Sequence, residues 1–186
     1  MKTYHVIILF IVSVLPVNTE LMANDAVTET VTVSSLPESW HAFVPCLKQA
    51  ATQYGLPPVL VAAVVEVESA GNPLAIGVNT KAVKAPKPKT KDEAITHAVE
   101  LWQRGVNFDV GLGQINRQNI KEHRIDLAAL FDPCVNVQWV SYILYDRFQK
   151  YGLKWIAVER YNGVNPEYSW KVYEALMRMR RMREFQ

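Results

Sequence analysis

The chain has 186 residues, of which 49% are hydrophobic and 20% charged, so it can bury the core of one globular domain and does not have a disordered composition. Its net charge is only +2, and no run of Lys and Arg alternates with aromatic residues. This composition excludes a dedicated nucleic-acid groove, which needs a strong basic patch with stacking side chains, so we expect no nucleic-acid partner.

The N-terminus has the features of a secretory leader. Lys2 supplies a positive charge, and residues 6–15 form an apolar stretch that is far shorter than the ~20 residues needed to span a bilayer. Leu21-Met22-Ala23 is a suitable cleavage site. We therefore predict a signal peptide over residues 1–23 that is cleaved near Ala23, and an exported protein. The alternative is an uncleaved N-terminal anchor.

The rest of the chain reads as a short lead-in followed by helices. Residues 24–38 are rich in Thr, Val and Ser and have no helical period, which predicts a flexible lead-in. From residue 39 onward, apolar residues recur at helical spacing between Gly and Pro stops. The predicted helices cover approximately residues 40–54, 57–69, 90–104, 116–122, 126–130, 133–150, 155–161 and 166–186, and residues 107–115 are predicted to be a loop. Only residues 76–78 suggest a strand, so the predicted fold class is all-α with at most a small β-element.

Cys46 and Cys134 are the only cysteines, so one pairing exists. In an oxidising compartment we predict that they form a disulfide, and closing a loop of about 88 residues would stabilise the fold by roughly 4 to 5 kcal/mol. The alternative is two buried thiols. The sequence has no CxxC and no HExxH, and its four histidines are scattered, so we predict neither a metal site nor a cofactor.

The most informative segment is Glu-Val-Glu-Ser-Ala-Gly-Asn-Pro at residues 66–73. It follows an apolar run over residues 59–65, which predicts a helix that is buried on every face. A Glu held in a dry pocket keeps its proton near neutral pH, as a general acid must. Glu66 and Glu68 lie about 200° apart around a helix, so only one of them can face a given cleft. The nearness of Glu68 to the helix end favours Glu68.

Two further segments carry polar groups that suit a sugar ligand. Residues 110–116 contain glycines that let backbone approach a ligand, and Gln114 and Asn116 offer amides for hydroxyl and N-acetyl groups. Tyr161 and Asn162 stand at a predicted helix end, where they could bond a carboxyl and a sugar. Taken alone, each segment is equally well explained as a turn or a helix stop.

Together, and in this order, the motifs Glu-Ser-x-x-Asn-Pro, Gly-Leu-x-Gln-Ile-Asn and Tyr-Asn-Gly resemble those of lytic transglycosylases with a goose-lysozyme-like (SLT) fold. The segment Asp-Pro-Cys-Val-Asn-Val at residues 132–137 resembles the linking motif of that family, and the resemblance covers about residues 40–176. The chain is most similar to the specialised members tied to type IV secretion and conjugation. The broader family usually has Met where Gly113 stands.

The resemblance implies a lysozyme-like domain over residues 39–186 that acts in the periplasm on peptidoglycan, with components of a secretion or conjugation complex as further partners. It implies that Glu68 protonates the glycosidic oxygen between N-acetylmuramic acid and N-acetylglucosamine. As a base, Glu68 would then deprotonate the muramoyl 6-hydroxyl, which closes a 1,6-anhydro ring. It further implies that Tyr161 positions Glu68 and that Ser69 supports the site. The substrate-binding residues implied by the resemblance are Ser69, Gln114, Asn116, Tyr161 and Asn162.

Two other functions fit the same motifs. A lysozyme-type hydrolase would need a base that holds water, and Asp109 is the candidate, although a residue before a Gly-rich loop more commonly braces that loop. A non-catalytic scaffold that binds peptidoglycan is the second alternative, but a pure binder has no need of a buried acid.

A basic loop precedes the fourth predicted helix. Lys81, Lys84, Lys87 and Lys89 are interrupted there by two prolines. The simplest interpretation is a solvated loop. A glycan that carries carboxylates or phosphates nearby would give its charge a use.

Overall fold

The computed structural model describes residues 35–163 and 165–186, so the predicted leader and most of the predicted lead-in lie outside the described residues. The described part has eight α-helices, and none of them combines the length and the apolarity that a membrane span requires. The helices are α1 Glu38–His41, α2 Val44–Gln53, α3 Pro58–Ser69, α4 Lys91–Gln103, α5 Arg117–His123, α6 Pro133–Tyr151, α7 Trp155–Glu159 and α8 Pro166–Met179. The described part also contains three short strands, so the prediction of an all-α fold with a small β-element is confirmed.

The strands form one antiparallel sheet in the order β1 (Ile76–Val78), β2 (Phe108–Val110) and β3 (Ile115–Asn116). The prediction of β1 is confirmed, whereas the prediction of a plain loop over residues 107–115 is wrong, because this segment contributes both other strands. Each strand has only two or three residues, too few for an alternating pattern to stand out. The register sets Gly77 opposite Asp109, and Asp109 opposite Asn116.

Helix α3 is the centre of the fold and packs most extensively against α8. The six residues 60–65 are all buried, as the unbroken apolar run predicts. The helix ends in two left-handed residues, Ala70 at φ 52° and Gly71 at φ 77°. The ring of Trp40 packs against Gly71 so closely that a Cβ atom there would overlap it. Gly71 therefore allows both the sharp turn and the close approach.

Three predicted helices differ from the structure by more than a residue or two. The helix predicted over residues 126–130 is only a 3₁₀ turn at Ala129–Phe131. The predicted helix over residues 40–54 is divided into α1 and α2, because Pro45 lies in the first turn of α2 and cannot donate a backbone hydrogen bond. The predicted last helix ends at Met179 and does not reach the C-terminus, where a short 3₁₀ turn occupies Arg183–Phe185. Leu36, which lies before α1, is buried in the same core.

The predicted disulfide is present. Cys46 lies in the first turn of α2 and Cys134 in the first turn of α6, and their Cα atoms are 5.4 Å apart across 88 residues of sequence. The bond therefore ties α2 to α6.

Candidate functional site

A cavity of about 340 Å³ opens beside the end of α3, between the small sheet and the residues that follow α7. It brings together segments that lie far apart in sequence. All of the predicted site residues except Ser69 line it. The lining residues are Glu68, Asn79, Asp109, Gln114, Ile115, Asn116, Asn119, Ile143, Tyr161, Asn162 and Gly163.

Glu68 is the carboxyl whose chemistry is most altered by the fold. Burial raises its pKa from 4.5 to about 7, against the opposing effect of the Tyr168 hydroxyl, which favours the ionised form. The charge of Asp109 raises this pKa further, and the side chain of Asn162 lowers it. Near neutral pH, Glu68 therefore exists as comparable amounts of acid and carboxylate, and it can both give and accept a proton.

Glu66 does not line the cavity. Its Oε1 atom lies 3.2 Å from Nη2 of Arg178 on α8, in an ion pair at the protein surface. The two glutamates therefore point to different sides of α3, as the helical rotation between them requires.

Asp109 also lines the cavity, but both of its oxygens are occupied. Oδ1 accepts a hydrogen bond from Nδ2 of Asn116 at 2.6 Å, and Oδ2 accepts one from Nδ2 of Asn79 at 2.7 Å. Burial raises the pKa of Asp109 above its usual value, and the hydrogen bonds from these two amides oppose this rise only in part. The carboxylate thus ties the start of the loop after β1 to β3, in the bracing role that the sequence favoured over a catalytic one.

The two predicted sugar-binding amides are both engaged by the protein itself. Gln114 has φ 47°, and its Nε2 atom donates to the carbonyl of Gly111 at 2.9 Å and to that of Ala75 at 3.2 Å. Asn116 caps α5, because its Oδ1 accepts from the backbone N–H of Gln118 at 2.8 Å. Both side chains are therefore held in fixed orientations at the wall of the cavity.

Two buried tyrosine hydroxyls, those of Tyr161 and Tyr168, lie near Glu68. The Tyr161 hydroxyl donates to the carbonyl of Gly113 at 2.8 Å, so its hydrogen bond is to the Gly-rich loop. Tyr168, on the first turns of α8, stacks on Tyr161 with ring centroids 6.3 Å apart. Its buried hydroxyl has no regular hydrogen-bond partner in the described part of the chain, yet it is close enough to stabilise ionised Glu68. Tyr168 could not be identified from the sequence, because a Tyr at an apolar helix position carries no signal beyond that of a core residue.

Ser69 does not line the cavity, but it stabilises the structure around it. Its Oγ donates to the carbonyl of Leu112 at 2.8 Å and so joins the end of α3 to the Gly-rich loop. Asn136, fully buried on α6, holds the same loop from the other side. Its Oδ1 accepts from the N–H of Gly113 at 2.8 Å, and its Nδ2 donates to the carbonyls of Val110 and Leu130. Asn136 stands in the linking segment 132–137, which was the available signal for its role.

The structure also gives a physical reason for Gly113. A Cβ atom at this position would overlap Val140 on α6 and crowd the Tyr161 hydroxyl. The Met found here in the broader family would not fit this arrangement, because α6 approaches the loop too closely.

Comparisons with known proteins show which family the sequence matches. Residues 45–173 match the family model of the transglycosylase SLT domain. The type IV secretion system protein virB1 of Brucella abortus is 43% identical over 94 residues, which cover 50% of this chain and 39% of the relative. The chain therefore matches well under half of the length of that curated relative.

Two further relatives match longer stretches. The invasion protein IagB of Salmonella typhi is 28% identical over 153 residues, which are 76% of this chain and 81% of the relative. A peptidoglycan-binding-like protein of Escherichia coli O157:H7 is 31% identical over 124 residues, 63% of each chain. No solved structure matches. Because the family model spans well over half of the sequence and includes every predicted site residue, the chain belongs to the transglycosylase SLT domain family.

Proposed function

We propose that the protein is a peptidoglycan lytic transglycosylase in which Glu68 is the one catalytic carboxyl. The observation that carries this proposal is the raised pKa of Glu68, about 7, in a cavity lined mainly by amide and hydroxyl groups. An acid in this state can protonate the oxygen of a glycosidic bond, and uncharged amides are suited to hydroxyl and N-acetyl groups of a sugar chain.

In the first step, Glu68 gives its proton to the glycosidic oxygen between N-acetylmuramic acid and N-acetylglucosamine, and the C–O bond to the muramoyl C1 breaks. In the second step, the Glu68 carboxylate takes the proton of the muramoyl 6-hydroxyl, whose oxygen bonds to C1. The product is a 1,6-anhydro ring, and Glu68 regains its proton. The nucleophile belongs to the substrate, so no water is consumed.

The surroundings of Asp109 support a mechanism with one carboxyl. Most glycosidases use two carboxyl groups, of which the second activates water or attacks the sugar. The oxygens of Asp109 already accept hydrogen bonds from Asn116 and Asn79 and are poorly placed to hold a water for attack. An intramolecular nucleophile removes the need for that second group.

The remaining side chains have positioning and binding roles in this proposal. Asn162 is exposed at the cavity and influences the Glu68 carboxyl, so it is suited to contact both the acid and the sugar. Gln114 and Asn116 present fixed amide groups to the glycan. Tyr161 acts through the Gly-rich loop, and Tyr168 acts on Glu68 itself.

We place this activity in the periplasm, in the service of a type IV secretion or conjugation apparatus. The similarity to the Brucella protein named for type IV secretion supports the setting, and the predicted leader over residues 1–23 supports export. Local cleavage of glycan strands would open the wall where such an apparatus crosses it.

The test is mass spectrometry of the soluble products that the purified protein releases from peptidoglycan. Products that end in 1,6-anhydro-muramic acid, lighter by one water than their hydrated counterparts, would support transglycosylation. Hydrated reducing ends would instead make the protein a hydrolase and direct attention to Asp109, which lies in the same cavity. Release of nothing, with the protein sedimenting on peptidoglycan, would support the scaffold alternative. Glu68→Gln, tested in parallel, controls for a contaminating enzyme.

A further inference from the structure

The loop between β1 and α4 concentrates positive charge at one place on the surface. Residues 79–91, which are the loop and the first residue of α4, contain five lysines and no acidic residue, and Asp92 and Glu93 follow in the first turn of α4. The whole chain has a net charge of only +2. The lysines are Lys81, Lys84, Lys87, Lys89 and Lys91, and all are exposed. None of them forms an ion pair with any residue in the ranges 35–163 and 165–186.

This lysine loop begins at the wall of the proposed catalytic cavity. Asn79 lines the cavity, bonds Asp109 through its side chain and bonds the carbonyl of Asn107 through its backbone N–H at 3.0 Å. Lys81 follows two residues later, so its Cα lies at most about 7 Å from that of Asn79. Lys81 is therefore within side-chain reach of a polymer that leaves the cavity on this side.

The loop is fixed at both ends. At its start, the Thr80 hydroxyl oxygen accepts a hydrogen bond from the N–H of Ala82 at 3.2 Å. At its end, the Glu93 carboxylate accepts one from the N–H of Lys89 at 2.8 Å, and Thr90 caps α4. Pro86 and Pro88 restrict the backbone between these points. The backbone of the loop therefore loses less conformational entropy when its lysines bind a ligand.

Within residues 35–163 and 165–186, no cationic side chain lines the cavity. Its charged lining residues are Glu68 and Asp109. A substrate that carries carboxylates would therefore be repelled by Asp109 inside the cavity and attracted by the lysines outside it. The arrangement suits a polymer with a neutral backbone, which enters the cavity, and anionic branches, which stay at its edge.

Peptidoglycan has this form, because its muramoyl residues carry acidic stem peptides along a chain of uncharged sugars. We infer that the lysine loop binds the carboxylates of these stem peptides, so that the preferred substrate is stem-bearing glycan and not bare glycan. This inference rests on the proposed function and specifies the substrate of the same site. Single exposed ion pairs contribute little, so the loop acts through several weak contacts that salt screens.

The test neutralises part of the loop. In one variant, Lys81, Lys84 and Lys87 are changed to Gln. A control variant changes Arg180, Arg181 and Arg183 to Gln, which removes the same number of positive charges. These arginines follow the end of α8, and Arg180 lies roughly 18 Å from Tyr168 along the helix axis. Cleavage is measured at low and high salt on intact peptidoglycan and on glycan strands stripped of their peptides by an amidase. The lactyl carboxylates that the amidase frees are first converted to methylamides, so that the stripped strands carry no charge.

We expect the lysine variant to raise KM for stem-bearing glycan about 10-fold and to leave kcat and the stripped strands unchanged, as the loss of three weak ion pairs would do. High salt should reproduce this effect in the wild-type protein. The control variant should behave as wild type. An equal effect on both substrates, an equal effect of the control variant, or no effect at all would overturn the inference.

The proposed function is tested separately. If the wild-type protein cleaves neither substrate, that proposal fails, and co-sedimentation of the same variants with the two substrates decides about the loop. Binding that depends on both the stem peptides and the three lysines would support the inference even then. Binding that is independent of either one, or no binding, would overturn it.

Discussion

Glu66 and Glu68 lie two residues apart on one helix, and the fold gives them opposite environments. The side chain of Glu66 is 31% exposed and pairs with Arg178 near the end of α8. Glu68 faces the cavity beside Tyr168, which lies near the start of the same helix, and burial raises its pKa to about 7. The difference shows that the environment, and not the residue type, raises the pKa of one carboxyl and places the other in a surface ion pair.

The sharpest test of this difference is Glu68→Gln. We expect cleavage of peptidoglycan to fall by roughly 10²- to 10⁴-fold, because an amide of the same shape cannot transfer the proton. Product release is measured by mass spectrometry, and circular dichroism checks that the fold is retained. Turnover at the wild-type rate would remove Glu68 from the mechanism.

The second test is the pH dependence of stability. Between the ordinary pKa of 4.5 and the folded-state value of about 7, folded Glu68 holds a proton that the unfolded chain has released. The free energy of unfolding should therefore fall as pH rises through this window, by roughly 3 kcal/mol in total. The raised pKa of Asp109 adds a change of the same sign in all variants.

Urea unfolding of the wild type, Glu68→Gln and Glu66→Gln over this pH range measures the effect. In Glu68→Gln, the free energy of unfolding should decline much less as pH rises. In Glu66→Gln, it should decline as in the wild type. Equal slopes in all three proteins would show that Glu68 is not held in a dry environment.

Tyr168→Phe probes the neighbour that distinguishes the two glutamates. Loss of the hydroxyl removes a group that stabilises ionised Glu68, so the pKa of this carboxyl should rise further. The basic limb of the pH–rate profile should move to higher pH, with a several-fold loss of kcat, equivalent to about 1 kcal/mol. Tyr161→Phe is the control, since its hydroxyl bonds the Gly113 carbonyl. An unchanged profile with Tyr168→Phe would leave the residue a packing role only.

Glu66→Gln should have the smallest effect. Its ion pair with Arg178 is exposed, and such pairs contribute up to about 1 kcal/mol. We expect unfolding midpoints and cleavage rates close to those of the wild type. A loss of activity comparable to that of Glu68→Gln, with a normal fold, would mean that the wrong carboxyl has been assigned.

Features that depend on a few neighbouring residues could be predicted from sequence. Helix α3 follows from its apolar run, and the caps follow from side chains that reach backbone groups one turn away. Asp132 accepts from the N–H groups of Cys134 and Val135, and Thr90 accepts from that of Glu93. The Glu93 carboxylate in turn accepts a hydrogen bond from the N–H of Lys89. Because the chain has only two cysteines, only one disulfide pairing was possible.

The sequence by itself therefore determined the helical class, the acidic motif at the end of α3 and the disulfide, because periodicity, local hydrogen bonding and a single possible pairing decide these. Only the tertiary structure decided which residues surround Glu68. Tyr168 reaches it across 100 residues of sequence, and Asn136 holds the Gly-rich loop from a helix 23 residues beyond Gly113. Contacts of this kind depend on how α3, α6 and α8 pack together, and no short pattern of residues encodes that packing.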